Sequence, residues 1–390
     1  MNTALKHWRE AATVILAAGT KYRRGVECLW RETPDSGLVN NSNTHKLFDY
    51  EVLLLKRSGR SGFMPNAYVF PGGLADPSDF SSDWLEVFKS FRHLPRFGLA
   101  PVKQPMETRP PIFATDRSRL GSPIPGDVAF RICALRETFE ESGVLLVVPG
   151  DQADAGCHGD APLTALSDRW DKSLIAQWRA KVLESSENFI QMCRELECLP
   201  NIWALYEWGN WLTPVFGSVQ QRRYDTAFYM CCLQEIPDTL QDQQEIQLCK
   251  VTSWSTPTDI LHSFREKKVW VATPQLYDLG RMSNFPSLSD LHEFTKQRST
   301  EGCERCLPVI LKAPDCTISL FSGDSLYPEK PDSNLSTEKC LEELQKDSPN
   351  LHRIVYHSPY NGSVFMNITP KYKHLSPLTV SESRRHDNKL

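Results

Sequence analysis

Residues Arg136-Glu137-Thr138-Phe139-Glu140-Glu141-Ser142-Gly143-Val144 form the most informative segment of this 390-residue sequence. The segment closes a helix that the spacing of apolar residues predicts over 128–142, with Asp127 as its N-cap and Gly143 as its C-terminal stop. At about 100° per residue, Glu137, Glu140 and Glu141 fall on one face of this helix. The apolar residues on the opposite face are Val128, Ile132, Leu135 and Phe139. We therefore expect the helix to bury one side and to present carboxylates on the other.

Three carboxylates this close together repel one another unless a cation lies between them. Hard cations such as Mg²⁺ prefer oxygen ligands, commonly carboxylates together with substrate phosphates. The glutamate face therefore predicts either a metal site or, as on most glutamate-rich helices, a solvated acidic surface. The flanking residues decide between these two interpretations.

The segment resembles the second half of the Nudix box, G-x5-E-x7-R-E-U-x-E-E-x-G-U, in which U is a bulky aliphatic residue. Residues 136–144 match every specified position except that Thr138 stands at a U position. The first half lies upstream, where Phe70-Pro71-Gly72-Gly73 is similar to the F-P-G-G that opens the box in part of the family. Six residues after Gly73, Asp79 occupies the first acidic position. Residues 80–128 are therefore an insertion inside the box.

The resemblance implies an α/β Nudix fold, a mixed sheet sandwiched between helices. It places a Nudix hydrolase domain at about 10–275, interrupted by insertions at about 80–128 and 150–208. An α/β extension is expected over 276–390. The implied ligands of a Mg²⁺ or Mn²⁺ ion are Glu137, Glu140, Glu141 and the carbonyl of Gly72. Arg136 is expected to orient these carboxylates through charge-assisted hydrogen bonds.

A second motif points to the substrate. Nudix enzymes that cleave coenzyme A resemble L-L-T-x-R-[SA]-x3-R-x3-G-x3-F-P-G-G, and residues 53–73 have the same length and spacing. Leu55, Gly62 and Asn66 depart from the pattern. The resemblance implies hydrolysis of coenzyme A or acyl-coenzyme A to 3′,5′-ADP and (acyl-)4′-phosphopantetheine. The alternatives are another nucleoside diphosphate derivative such as ADP-ribose, a nucleoside triphosphate, or a non-catalytic binding protein that keeps the fold.

Basic residues are needed to bind the phosphates of such a substrate. Arg57 matches the coenzyme A motif directly, and Arg60 lies two residues before the position of the missing second arginine. Arg60 is equally well explained as a surface loop charge. Arg222 and Arg223, before a predicted strand, are alternatives for the same role.

A carboxylate is also needed to activate water, since glutamate commonly serves as a general base. Glu245 is the candidate, because related enzymes often carry such a residue in the loop before the strand predicted over 250–254. Asp242, Glu235 and Glu140 are competing candidates, and Glu245 is equally well explained as a surface residue.

Composition excludes some classes of function. The formal net charge of −4 argues against a general DNA- or RNA-binding protein, which needs a surplus of basic residues. No apolar run approaches the ~20 residues of a membrane span. The 12 cysteines form no zinc-site pattern, and the lone pair Cys303 and Cys306 has no second pair, so unpaired thiols are expected.

The chain ends in Asn388-Lys389-Leu390, which resembles the peroxisomal signal Ser-Lys-Leu. This ending predicts a peroxisomal location and binding to the peroxisomal import receptor. A chance Lys-Leu ending is the alternative. The apolar residues 11–18 could pass for the core of a targeting sequence, which would point to mitochondria, but Thr13, Val14 and Ile15 favour a buried strand.

Other elements follow from local patterns. Residues 170–208 are predicted to hold two or three amphipathic helices, which carry Trp178, Trp203 and Trp208. These tryptophans are interpreted as core rather than as an acyl channel. The proline-rich part of the insertion is expected to be irregular. Strands are predicted at 11–18, 50–56, 67–70, 144–148, 224–233 and 250–254, with others near 307–320 and 353–368; helices are predicted at 83–92 and near 287–297.

Overall fold

The computed structural model describes residues 8–20, 48–60, 64–152, 169–215, 223–237, 249–331 and 334–378. The helices are α1 Trp84–Val87, α2 Pro111–Ala114, α3 Gly126–Ser142, α4 Lys172–Glu184, α5 Asn188–Glu195, α6 Pro257–Arg265, α7 Thr273–Met282, α8 Leu288–Ser299 and α9 Leu341–Lys346. The strands are β1 Arg9–Gly19, β2 Tyr50–Arg57, β3 Ala67–Val69, β4 Gly72–Leu74, β5 Val147–Pro149, β6 Cys198–Pro200, β7 Tyr206–Leu212, β8 Tyr224–Leu233, β9 Cys249–Ser255, β10 Trp270–Val271, β11 Arg305–Cys306, β12 Val309–Lys312, β13 Thr317–Leu320, β14 Leu335–Ser336, β15 His352–Ser358 and β16 Asn361–Met366.

The main sheet is mixed and has nine strands in the described part of the chain. Its path runs β10-β3-β2-β1-β8-β7-β11, while β4 pairs with β1 and β9 pairs with β2. Strands β1 and β8 run parallel over ten residue pairs, from Arg9 opposite Tyr224 to Ala18 opposite Leu233. Strands β1 and β2 pair only near Ala17. Away from this point the two strands diverge, and there β3 pairs with β2 while β4 pairs with β1. The segment between β3 and β4 therefore passes from the edge of β2 to the edge of β1.

Both faces of the sheet are covered, which explains the unbroken burial of residues 11–19 in β1. One core lies against α3 and includes Val14, Leu16 and Leu53 from the sheet. The other lies against the helices between residues 257 and 299 and includes Ile15 and Leu54. The predicted mixed sheet between helical layers is confirmed, as is the predicted strand over residues 11–18.

The insertion inside the box packs against α3 rather than projecting into solvent. Trp84, Phe88, Phe97 and Ile112 are buried in the same core as the apolar face of that helix. The insertion is mostly irregular, as expected, but it contains the short helices α1 and α2 and two 3-10 turns. The predicted helix over 83–92 is reduced to the four residues of α1.

One prediction for the second insertion is wrong. Helices α4 and α5 lie within the predicted helical stretch, but the chain then forms β6, a 3-10 turn and β7. Trp203 lies in the turn and Trp208 in β7, so neither is on a helix. Six of the seven residues of β7 are buried because both faces of that strand are covered. No apolar–polar alternation was therefore present to distinguish this strand from a helix.

The C-terminal residues form a second sheet, in the order β14-β12-β13-β15-β16. The strands predicted near 307–320 and 353–368 and the helix predicted near 287–297 are confirmed by β12, β13, β15, β16 and α8. Among the residues described, no helix is long and apolar enough to cross a bilayer. The cysteines of the described segments, Cys303 and Cys306 among them, are free thiols.

Candidate active site

Helix α3 carries the predicted carboxylate face. It begins after Pro125, two residues earlier than expected, and it ends at Gly143, whose left-handed φ of 75° is the predicted stop. Asp127 is not the N-cap, because it lies inside the first turn and forms ion pairs with Arg96 and Arg109. The predicted apolar face of α3 is fully buried, and the glutamates lie on its last two turns.

Arg136 joins the two halves of the box across the insertion. Its Nε and Nη2 donate to the two carboxylate oxygens of Asp79 at 2.9 and 3.0 Å. Its Nη1 donates to Glu137 at 2.9 Å and to Glu140 at 2.8 Å. Nη2 also donates to the carbonyl of Leu74 at 3.1 Å. One guanidinium therefore orients Glu137 and Glu140, two of the three glutamates expected for Arg136, and Asp79 serves as its bidentate partner.

The two glycines of β4 allow close approach to these carboxylates. Gly72 has a φ of 155°, and a Cβ there would collide with Ala12 and Thr13 of β1. A Cβ on Gly73 would collide with the carboxylate of Glu137. The backbone N–H of Gly72 donates to Glu141 Oε2 at 2.9 Å. Only glycine at both positions lets this strand lie against the acidic end of α3.

The site has more negative than positive charge. Burial raises the pKa of Glu137 to about 8; Arg136 opposes this shift, while Glu141 and Glu140 add to it by repulsion. Burial also raises the pKa of Glu140. For Arg136, burial acts to lower the pKa, but the charge of Asp79 outweighs it and the pKa rises. A divalent cation would relieve this repulsion, because it would add the positive charge that one arginine does not supply.

The donor chemistry fits a hard cation, since Glu137, Glu140 and Glu141 offer carboxylate oxygens next to the backbone of Gly72. Within the described ranges, no group of three or more His, Cys, Asp or Glu side chains is arranged to hold a metal ion. In the arrangement described, Glu137 and Glu140 instead accept hydrogen bonds from Arg136, and Glu141 accepts a hydrogen bond from the backbone N–H of Gly72.

Arg57 lies at the end of β2, beside β3, which leads directly into Gly72. Leu53 and Leu55 of β2 belong to the core that packs against α3. Alternation along β2 predicts that Arg57 lies on the same face of the sheet as α3, and the pairing of β2 with β9 shifts register between Lys56 and Arg57. Its predicted position near the box is therefore compatible with phosphate binding.

The other predicted substrate residues are placed differently. Arg60 is exposed in the turn after β2. Arg223 packs over the ring of Trp8 at 4.0 Å and donates to the carbonyl of Thr213 at 3.1 Å. It lies about five residues along the sheet from the level of Gly72, or roughly 16 Å. The structure does not bring Arg223 to the carboxylates. Arg222, Glu245, Asp242 and residues 388–390 lie outside the described residues.

Sequence reasoning missed one residue that contacts the acidic end of α3. The buried Arg179 of α4 donates from Nε to the carbonyl of Glu140 at 3.0 Å and from Nη2 to that of Glu141 at 3.4 Å. The last carbonyls of a helix lack internal partners and favour cations. That rule predicts a donor near Gly143, but nothing in the sequence identifies a residue 39 positions away as that donor.

Family profiles match most of the chain. The profile of the NUDT19 Nudix domain matches residues 8–282, and that of the NUDT19 C-terminal domain matches residues 310–367. The chain belongs to the NUDT19 family of Nudix hydrolases. Nudix hydrolases generally use divalent metal ions. The acidic end of α3 lies within the residues that the Nudix-domain profile matches.

Two named relatives agree with this assignment. "Acyl-coenzyme A diphosphatase NUDT19" of Gallus gallus is 46% identical over 100% of both chains. The Homo sapiens protein of the same name is 40% identical over 97% of both chains. A crystal structure of a NUDIX hydrolase from Alicyclobacillus acidocaldarius is 21% identical and covers 74% of this chain and 97% of its own, with a TM-score of 0.47.

Proposed function

We propose that this Nudix hydrolase uses Mg²⁺ or Mn²⁺ to cleave the pyrophosphate bond of coenzyme A and acyl-coenzyme A. The products are 3′,5′-ADP and (acyl-)4′-phosphopantetheine. The observation that carries the proposal is identity of 46% over the full length to a protein named acyl-coenzyme A diphosphatase. The intact set of Glu137, Glu140 and Glu141 around Arg136 supports catalysis over a binding role alone.

The residues of the site have separate roles in this reaction. Glu137, Glu140 and Glu141 would hold the cation, with the Gly72 carbonyl as a further oxygen ligand. The cation would neutralise charge on the pyrophosphate and make water more acidic. Arg136 keeps Glu137 and Glu140 in place, and Asp79 keeps Arg136 in place.

The reaction itself is a hydrolysis. Water attacks one phosphorus, the bond from that phosphorus to the bridging oxygen breaks, and the bridging oxygen leaves with the other phosphate. The proton of the water passes to a carboxylate, for which Glu245 and Glu140 are the candidates. The 3′-phosphate of coenzyme A pairs with Arg57 in this scheme, because a planar guanidinium can bind two phosphate oxygens.

A substrate panel tests the proposal. The purified protein is assayed with free coenzyme A, acyl-coenzyme A, ADP-ribose and nucleoside triphosphates, with Mg²⁺, with Mn²⁺ and with a chelator. We expect cleavage of the two coenzyme A substrates that stops when the chelator is added. A higher kcat/KM for ADP-ribose or a nucleotide would overturn the substrate assignment, and cleavage in chelator would overturn the role of the metal.

The proposed location follows from the end of the chain. Residues 388–390 resemble a peroxisomal import signal, and a peroxisomal protein would meet its receptor through this tail. Acyl-coenzyme A is also available in that compartment, so the location suits the proposed substrate.

A further inference from the structure

A small cavity of about 30 Å³ lies between the helices α7 and α8 and the C-terminal residues 366–374. Trp208 and Trp211 of β7 and Tyr277 of α7 form part of its wall. A space of this size holds roughly one or two water molecules. It therefore admits a monatomic ion and is too small for a phosphate group or for any part of a nucleotide.

The wall of this cavity has more positive than negative charge. Arg281, Arg298 and Lys371 line it and contribute three cations. Lys371 pairs with Glu304 at 2.8 Å. Arg281 pairs with the fully buried Asp278 at 3.3 Å. When these two pairs are counted as neutral, the charge of Arg298 is left over.

Arg298 is buried, and no carboxylate among the described residues pairs with it. Its Nη1 donates to the carbonyl of Gly302 at 3.0 Å, and its Nη2 donates to the carbonyl of Glu207. The carboxylate of Glu207 pairs with Arg109 instead. Burial lowers the pKa of Arg298 to about 10, because the negative charge nearby compensates it only in part. Carbonyl oxygens satisfy the donors of a buried cation but do not neutralise its charge.

Arg281 has a donor that is available to a ligand of the cavity. Its Nε donates to the carbonyl of Leu375 at 3.0 Å, and its Nη1 donates to Asp278 at 3.3 Å. Its Nη2 has no acceptor in the described part of the chain, and this atom is not sealed from solvent. Arg281 lines the cavity and is only 7% exposed. The Nη2 donor can therefore bind an acceptor that enters the cavity.

His374 indicates which sign of charge the cavity favours. Its Nδ1 accepts a hydrogen bond from the backbone N–H of Leu375 at 2.9 Å. The pKa of His374 lies well below its ordinary value, with burial as the largest cause, and the charges of Arg281 and Arg298 add to this shift by repulsion. A further cation is therefore disfavoured at this place, and an anion is favoured.

We infer that the cavity binds a small monovalent anion such as chloride. The Nη2 atom of Arg281 donates to the anion, and the anion supplies the negative charge that Arg298 lacks. Because the wall comes both from α7 and α8 and from residues 366–374, the bound anion holds the C-terminal segment against these helices. None of the residues that line the cavity belongs to the glutamate site of α3, so this inference does not depend on the proposed reaction.

Thermal melting in two salts tests the inference. The wild type is melted in sodium chloride and in sodium gluconate at the same ionic strength, because gluconate is too large for a cavity of about 30 Å³. We expect a Tm roughly 2 °C higher in chloride, the effect of a ligand that binds only the folded protein and is present at about ten times its Kd. Equal Tm values in the two salts would overturn the inference.

Thr369→Glu separates a specific site from a general effect of salt. Thr369 lines the cavity and is exposed, so the substitution brings a carboxylate to the cavity without replacing a buried residue. This carboxylate takes the place of the anion, so the difference in Tm between the two salts should disappear. Thr369→Gln has the same shape without the charge and should keep the difference. A salt difference of the same size in both variants would show a general salt effect and contradict the site.

Crystallography with bromide locates the ion directly. Bromide replaces chloride and scatters anomalously, so a crystal soaked in bromide should show an anomalous peak in the cavity, within hydrogen-bonding distance of Nη2 of Arg281. The same soak of Thr369→Glu should show no peak there. A wild-type cavity that holds only water in bromide would refute the inference.

Discussion

Arg136 and Asp79 show how a single pair unites distant parts of the sequence. Both side chains are almost fully buried, and their two hydrogen bonds join the segment before the insertion to the helix after it. The spacing of the interrupted box predicted that Asp79 occupies the first acidic position of the motif that contains Arg136. The spacing did not predict the role of Asp79. Its carboxylate fixes Arg136, and Arg136 in turn orients Glu137 and Glu140.

Asp79→Asn tests this pair. The amide keeps the shape but removes the charge that compensates the buried guanidinium, so the free energy of unfolding should fall by about 3 kcal/mol. Urea denaturation measures the change. Asp83→Asn is the matched control, because the Asp83 ion pair with Arg194 is exposed, with an N···O distance of 3.5 Å, and such pairs contribute at most about 1 kcal/mol. Similar losses in the two variants would contradict the structural role of Asp79.

In our proposal, Arg57 recognises coenzyme A by binding its 3′-phosphate. Arg57→Ala should weaken cleavage of coenzyme A and leave cleavage of dephospho-coenzyme A nearly unchanged, because only the former carries the 3′-phosphate. A charge-assisted hydrogen bond is worth about 1.5–3 kcal/mol, so the ratio of the two kcat/KM values should fall roughly ten- to a hundredfold. The same two substrates are compared in Arg60→Ala, because Arg60 is an exposed arginine close to Arg57 in the sequence. Equal losses on both substrates would show that Arg57 binds the pyrophosphate or supports the fold.

At the scale of elements, the sequence predicts those whose burial pattern is regular. Helix α3 lies within two residues of its predicted position because its apolar residues recur at helical spacing, and strands β1, β2 and β8 do so because each contains a nearly continuous apolar run of strand length. Strand β7 is as buried as β1, but it was missed because Glu207, Gly209 and Asn210 interrupt its apolar residues. Asp127 looked like an N-cap, but tertiary ion pairs with Arg96 and Arg109 use its carboxylate instead.

The contact between α4 and the end of α3 could not be predicted from either helix alone. Arg179→Leu should leave the carbonyls of Glu140 and Glu141 without this donor, so the last turn of α3 should loosen. We expect a loss of about 1–3 kcal/mol in unfolding free energy and a lower kcat, since both glutamates lie on that turn. Thermal melting and steady-state kinetics measure the two effects. Glu184→Ala, at an exposed position of α4, is the control, and a wild-type kcat in Arg179→Leu would refute the coupling.

For the whole molecule, the family assignment accounts for both the main domain and the C-terminal sheet, since separate profiles match residues 8–282 and 310–367. The sequence predicted strands in the C-terminal part but not their association. The buried pair of Arg353 and Asp324, with an N···O distance of 2.6 Å, helps to fix that sheet. It joins residues 29 positions apart, a contact that local patterns do not contain.

The location of the protein is a prediction about the whole chain. Deleting residues 388–390 should move a tagged protein from peroxisomes to cytosol, because the import receptor reads the free C-terminus. The tag is placed at the N-terminus so that the signal stays accessible, and fluorescence microscopy with a peroxisomal marker gives the readout. A mitochondrial pattern in both the full-length and the shortened protein would contradict the peroxisomal assignment.

The central claim is that the glutamates of α3 carry metal-dependent hydrolysis of acyl-coenzyme A. Mass spectrometry of the products from the wild type and from Glu140→Gln, each with Mg²⁺, tests it most directly. The side chain of Glu140 is 16% exposed and pairs with Arg136, so the Gln variant should melt close to the wild type. We predict 3′,5′-ADP and acyl-4′-phosphopantetheine from the wild type, and a rate lower by orders of magnitude from the folded variant. The same products at the same rate from Glu140→Gln would contradict the account.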